Sequence, residues 1–198
     1  VVIGSNEGNV YLYDAKRGTK KWTATTKGGE GYTYKKDLGF GQGSIKLRPA
    51  YDAQRDYVIV GSIDSHLYVI ERKTGAIVFT FEARFAVWST PYVYAGNVYF
   101  TSLDRHCYCV NLDTFELVWK RNLDNTRVFS APVVIEGTLY VGTDASRLHE
   151  LDPHTGEVTG YIQLTERITN HPVYNKKTQT LFVPTYANEI VAYKKLEH

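Results

Sequence analysis

The residues able to do chemistry sit mostly where a repeating pattern is interrupted. Cys107 and Cys109 are two apart, and in an extended strand that spacing puts both on one face. A Cys-x-Cys pair is half of a metal site. With no second pair in the chain, the plainer reading is two small buried thiols, because a bond between them would bend the strand sharply. Unpaired thiols lean toward a reducing, cytoplasmic setting. His149-Glu150 and His154 do not make a zinc HExxH motif, since the spacing is wrong and Pro153 intervenes. Glu150 falls at an apolar position, which marks either a buried polar group or an exposed sheet edge. His66 and His106 occupy a position that varies among polar types and read as solvent-facing turn residues. The recurring acids Glu7, Asp64, Asp104, Asp14 and Asp152 read as turn formers, not as paired catalytic carboxylates. No catalytic constellation and no complete metal site emerges.

Two other features suit binding. Residues 27–44 carry six glycines and the aromatics Tyr32, Tyr34 and Phe40. Gly39-Phe-Gly41-Gln-Gly43 has the look of a phosphate cradle, but no helix follows it as such a cradle needs. A surface loop, or a loop that meets a ligand or partner, is the alternative. Basic residues also gather ahead of four prolines. Arg48 and His171 stand immediately before Pro49 and Pro172, Arg127 and Arg167 five residues before Pro132 and Pro172, and Arg84 close to the same series. Their convergence would make an electropositive surface suited to an acidic peptide, a carboxylate or a phosphate.

What positions these residues is a repeat. Aligning Gly4, Gly61, Thr101, Gly142 and Pro184 gives spacings of 57, 40, 41 and 42, a period of about 41 with one early insertion. A hydroxyl follows each time: Ser5, Ser62, Ser102, Thr143, Thr185. Each unit reads as four short strands, here A (with the proline), B (ending at Gly-Ser), C (the Tyr strand) and D (ending at an aromatic: Trp22, Phe79 or Trp119). The B–C turn needs a positive φ, supplied by Gly8 in the first copy and imposed on Ser65, Arg105, Ser146 and Asn188 in the others. The first unit lacks A and the last lacks D, so eighteen strands are expected. Four-stranded units at this period predict an all-β fold, a β-propeller of four-stranded antiparallel blades with about five partial repeats.

The totals exclude several classes. The chain has 198 residues and a net charge of +2, with no Lys/Arg run longer than two, so nucleic acid is not an expected partner. No apolar run approaches the length of a membrane span. There is no Met and no signal-like start, so the sequence reads as a stretch of a longer product, and 196–198 as a tag remnant.

The combination resembles the tryptophan-docking repeat of the pyrroloquinoline-quinone (PQQ) type propellers, whose unit reads V-Y-V-G-S-x-D-G-x-L-Y-A-L-D-A-x-T-G-x-x-x-W. The resemblance covers 1–195, as units of about 1–26, 44–83, 84–124, 125–165 and 166–195 with an insertion at 27–43. It implies a piece of a seven- or eight-bladed ring, with a five-bladed ring closed imperfectly as the alternative, and an open arc would call for a partner or a second copy. That repeat serves quinone-dependent dehydrogenases, an outer-membrane assembly lipoprotein that binds proteins, and appendages of adenylate-forming enzymes. The first expectation is therefore a non-catalytic module binding a protein or peptide, without a cofactor. The alternatives are a fragment of a PQQ-dependent dehydrogenase or an accessory domain of a larger enzyme. The resemblance places the chain in the periplasm or elsewhere outside the cytoplasm. It also implies that a quinone site would need adjacent cysteines, calcium ligands and a Trp floor. Here Tyr108 separates the cysteines, and the three Trp are read as parts of D strands.

Overall fold

The computed structural model describes residues 1–29 and 43–194. Tyr32, Tyr34 and Phe40 therefore lie outside the described residues. Among the described residues there are eighteen strands and no helix. They form five antiparallel sheets. The first holds β1 (Val2–Gly4), β2 (Asn9–Tyr13) and β3 (Lys20–Thr25). The second holds β4 (Ala50–Asp52), β5 (Tyr57–Gly61), β6 (His66–Glu71) and β7 (Ile77–Glu82). The third holds β8 (Tyr92–Tyr94), β9 (Asn97–Ser102), β10 (His106–Asn111) and β11 (Leu117–Asn122). The fourth holds β12 (Val133–Ile135), β13 (Thr138–Gly142), β14 (Arg147–Leu151) and β15 (Val158–Gln163). The fifth holds β16 (Val173–Asn175), β17 (Thr180–Pro184) and β18 (Ile190–Lys194). In every sheet, spatial order follows chain order. The contacts divide the chain into two compact units, Val1–Val93 and Tyr94–His198, with the boundary inside β8.

The repeat sets this architecture through its turns. Ser65, Arg105, Ser146 and Asn188 adopt φ of 74, 78, 59 and 60°, as Gly8 does at 78°. Side chains tolerate that strain because each short B–C loop, three to five residues between its strands, closes through a left-handed residue just ahead of strand C. Phe115, at φ 58°, stands where the other units place Gly18, Gly75 and Gly156. A register shift recurs two or three residues before the C–D turn, at Leu12/Tyr13, Val69/Ile70, Cys109/Val110 and Glu150/Leu151. Such bulges sharpen the local twist.

Strands B and C are buried on both faces (β5, β6, β9, β10), whereas the outer strand D is half exposed. In the first unit, Val10, Ala24 and Ile45 pack on Val58, Val60, Tyr68 and Ile70, joining the first two sheets face to face. In the second unit, Tyr140, Leu148 and Ile168 pack on Leu181 and Val183 in the same way.

Three expectations are corrected. The prolines stand immediately before strands A and not within them, at Pro49, Pro91, Pro132 and Pro172. That spares the ladder the missing N–H. The aromatic is the third residue of strand D, not its end: Trp22 in β3, Phe79 in β7 and Trp119 in β11. Trp88 lies in a D–A linker, outside any strand.

Candidate functional site

The end of each sheet where strand D leaves is built by backbone. In the D–A linker, the residue five before the proline offers its carbonyl to the next B–C turn. Ser44 O accepts from Ile63 N at 3.0 Å, Arg127 O from Asp144 N at 3.1 Å and Arg167 O from Tyr186 N at 3.0 Å. The residue after it donates to the preceding turn: Ile45 N to Ser5 O at 2.9 Å, Val87 N to Ser62 O at 3.0 Å and Ile168 N to Thr143 O at 3.2 Å. The Ser44–Ile45 and Arg167–Ile168 linkers are thus each stitched between two successive B–C turns. Ile45, Val87, Val128 and Ile168 are all buried.

In the second unit, this scaffold puts Arg127 and Arg167 at equivalent places. Arg127 is exposed and Arg167 half-buried. The Arg167 guanidinium carbon lies 3.6 Å from the centroid of Tyr186, which is 59% exposed. Stacking of this kind holds a cation while leaving its N–H edges outward. His171 is exposed in the same linker.

The first unit repeats the theme with different residues. Lys46 Nζ lies 6.0 Å from the Trp88 ring, and exposed Arg84 adjoins Phe85, which is 57% exposed. Arg48 is placed elsewhere. It lines a groove of about 470 Å³ with Val1, Val2, Leu12, Tyr51 and Arg72. Arg72 in that groove is held by Asp56, which also accepts the Tyr51 hydroxyl at 2.8 Å. The guanidinium, and secondarily the hydroxyl, keep the Asp56 carboxyl below its usual range.

The insertion leaves and returns through touching glycines. A Cβ on Gly28 would come within 2.3 Å of Gly43 Cα. Gly28 N donates to Asp64 Oδ2 at 2.8 Å, and Lys27 N donates to the Tyr68 hydroxyl at 3.1 Å.

Those last partners belong to a pattern the sequence reading missed, Asp-x-His-x-Tyr. Asp64 Oδ1 accepts from His66 N, and Asp64 Oδ2 accepts the Tyr68 hydroxyl at 2.7 Å. Asp104, His106 and Tyr108 repeat the arrangement. The Nδ1 of each histidine lies 2.8 or 2.9 Å from the Asp carbonyl oxygen, so that nitrogen carries the proton and donates. His66 is 8% exposed, which corrects its reading as a solvent-facing turn residue. The Lys27 ammonium lies 3.3 Å from its Nε2. The signal available in the sequence was the recurrence of Asp and Tyr four apart in two successive copies.

The fourth copy departs from this pattern. Ala145 takes the Asp position and His149 the Tyr position. His149 is 2% exposed, and its Nε2 lies 2.9 Å from Oδ2 of Asp124 in the preceding linker. Glu150 is half-buried and pairs with Gly160, where other copies carry the docking aromatic; its Oε2 takes up the room beside that glycine. The nearby carboxylate and burial push the Tyr140 hydroxyl up to about 12, burial being the larger cause.

Cys107 and Cys109 are buried and free. Burial raises both thiols, Cys109 to about 12, so neither is a nucleophile near neutral pH. These thiols do not fit a PQQ site. The indoles of Trp22 and Trp119 are also committed, their N–H groups donating to Arg72 O at 2.8 Å and Pro153 O at 2.9 Å.

Four-stranded antiparallel sheets whose D-strand tryptophans dock on the next C–D turn define a PQQ-like repeat β-propeller. The PQQ_2 family model, described as outer membrane protein assembly factor BamB, matches residues 6–195, and the chain belongs to that family. The outer membrane protein assembly factor BamB of Legionella pneumophila (strain Paris) is 23% identical over 182 residues, 89% of this chain and 44% of that protein. The quinohemoprotein alcohol dehydrogenase of Comamonas testosteroni is 32% identical over 88 residues, 44% of this chain and 12% of that protein. The crystal structure of BamB from Moraxella catarrhalis superposes with a TM-score of 0.74 at 18% identity, covering 98% of this chain and 54% of that one. The chain thus spans about half the length of these BamB relatives.

Proposed function

We propose that the chain is a non-catalytic β-propeller repeat module that binds an acidic protein or peptide through its D–A linkers. The observation that carries this reading is the Arg167–Tyr186 stack, which offers an oriented cation, with Arg127 at the equivalent place in the preceding linker. A guanidinium held on an exposed ring suits carboxylates and loses little freedom on binding. The BamB relatives, named as outer membrane assembly factors, support a protein partner and a place outside the cytoplasm. The cytoplasmic lean had rested on two thiols that burial makes unreactive in either setting.

The test is charge reversal at both arginines. An Asp-rich peptide at low salt should bind the native protein, and Arg127→Glu with Arg167→Glu should weaken it about tenfold, the scale of two part-exposed charge pairs. Arg17→Glu, in a C–D turn, should leave binding unchanged. Equal affinity in the double variant and the native protein would remove the proposal.

A further inference from the structure

His149 replaces a tyrosine whose hydroxyl, in the second and third copies, is tied to an Asp two residues before the strand. The tie is missing here because the Asp is Ala145. The imidazole remains buried, with neither ring nitrogen in a hydrogen bond among the described residues, although Nε2 stands 2.9 Å from Asp124 Oδ2. The same Oδ2 accepts from Arg147 Nη1 at 2.9 Å. Arg147 is the outer member of the set. Its side chain is 35% exposed against 3% for His149, its guanidinium carbon is 4.7 Å from the Tyr161 ring centroid, and its Nε donates to Gln163 Oε1.

We propose that His149 is an acid-operated switch that frees the Arg147 guanidinium for an anionic partner. With His149 neutral, Asp124 and Arg147 cancel. With His149 protonated, one carboxylate faces two cations, and the site carries one uncompensated positive charge. The buried imidazolium cannot exchange its partner for water, so it keeps Asp124, and the more accessible Arg147 is the group released. The charged groups facing the ring are Asp124 from the β11–β12 linker and Arg147 from its own strand. Tyr161 opposes it on β15 and Val141 on β13, both uncharged. Arg105, from the preceding turn, is taken up by Asn125. Burial lowers the His149 pKa more than Asp124 raises it, so the ring is neutral near pH 7 and the switch works on acidification. This deepens the function proposed above and rests on it, since Asp124 and Arg127 share one linker.

The probe is a rhodamine-labelled hexapeptide of cysteic acid, whose sulfonates stay ionised, titrated at pH 7.5 and 4.5 in low salt. Acidification should tighten native binding about three- to fivefold, the size of one part-exposed charge pair. The gain should be clearly smaller in His149→Gln and in Arg147→Gln than in the native protein and persist in full in His154→Gln, an exposed control. If His149→Gln does not fold, His149→Tyr with Ala145→Asp restores the pairing of the other copies and takes its place. In parallel, Asp124→Asn should lower the midpoint of the His149 ring titration seen by NMR. A gain undiminished without His149, or a midpoint unmoved in Asp124→Asn, overturns the switch. If the probe binds at neither pH, the binding surface falls, and the NMR titration alone decides the switch.

Discussion

Trp119 lies across Gly156. Its indole N–H donates to Pro153 O at 2.9 Å, and a Cβ on Gly156 would come within 2.5 Å of the ring. Trp22 and Gly75 stand in the same relation in the first unit, with Arg72 O as acceptor. Gly18 has a similar φ, 65° against 68°, but nothing lies within 4 Å of its would-be Cβ. Gly18→Ala should therefore cost only backbone strain, about 1 kcal/mol. Gly156→Ala should cost about 1–3 kcal/mol more by overpacking the indole. Urea midpoints at one pH measure the difference, and equal losses at the two glycines would show that the ring does not rest on Gly156.

The Asp104–Tyr108 bond is the second structural tie. Asp104→Ala would leave a buried hydroxyl without its acceptor, at about 1–3 kcal/mol. Adding Tyr108→Phe should recover part of that loss, because it removes the orphaned group. A double-mutant cycle reads this directly. Additive losses would mean the two groups are not coupled.

The insertion should be dispensable for folding. Since Gly28 and Gly43 touch, replacing residues 30–42 with two glycines closes a gap already closed by the stem. Shortening such a loop changes closure entropy by only about 1 kcal/mol. The far-UV spectrum should be unchanged and the melting temperature close to native. Loss of binding in a variant that folds would place Tyr32, Tyr34 or Phe40 at the partner, whereas failure to fold would contradict the stem geometry.

Stability should fall on acidification through His149. Its folded pKa is depressed below the unfolded value near 6.5, so the unfolded state takes up the proton first. Stability from this group is intact above that value and declines as pH drops from there toward the folded pKa. Urea midpoints from pH 7.5 to 4.5 should show a shallower decline in His149→Gln than in the native protein. Parallel declines would contradict it.

Much of the scaffold was legible because the period aligns unlike residues. Ser65, Arg105, Ser146 and Asn188 share a left-handed φ that Gly8 alone would suggest. The bulges before the C–D turns were not legible, since they depend on pairing across strands. His66 looked solvent-facing because Lys27, whose ammonium meets its Nε2, comes from the previous copy through an excursion of the chain that sequence spacing does not encode. Among the candidate binding residues, the equivalence of Arg127 and Arg167 could be read from the prolines. The Tyr186 ring beneath Arg167 could not, because it arrives from the B–C turn of the next copy. Arg48 was grouped with the linkers by its neighbour Pro49, yet its side chain lines the groove with Arg72.

The central claim is that the D–A linkers are the binding surface. Hydrogen exchange read by mass spectrometry, with and without the Asp-rich peptide at low salt, tests it most directly. The account expects added protection in residues 124–130 and 165–171 and none in the outer strand β11. Protection confined to the D strands, or no change in either linker, would contradict it.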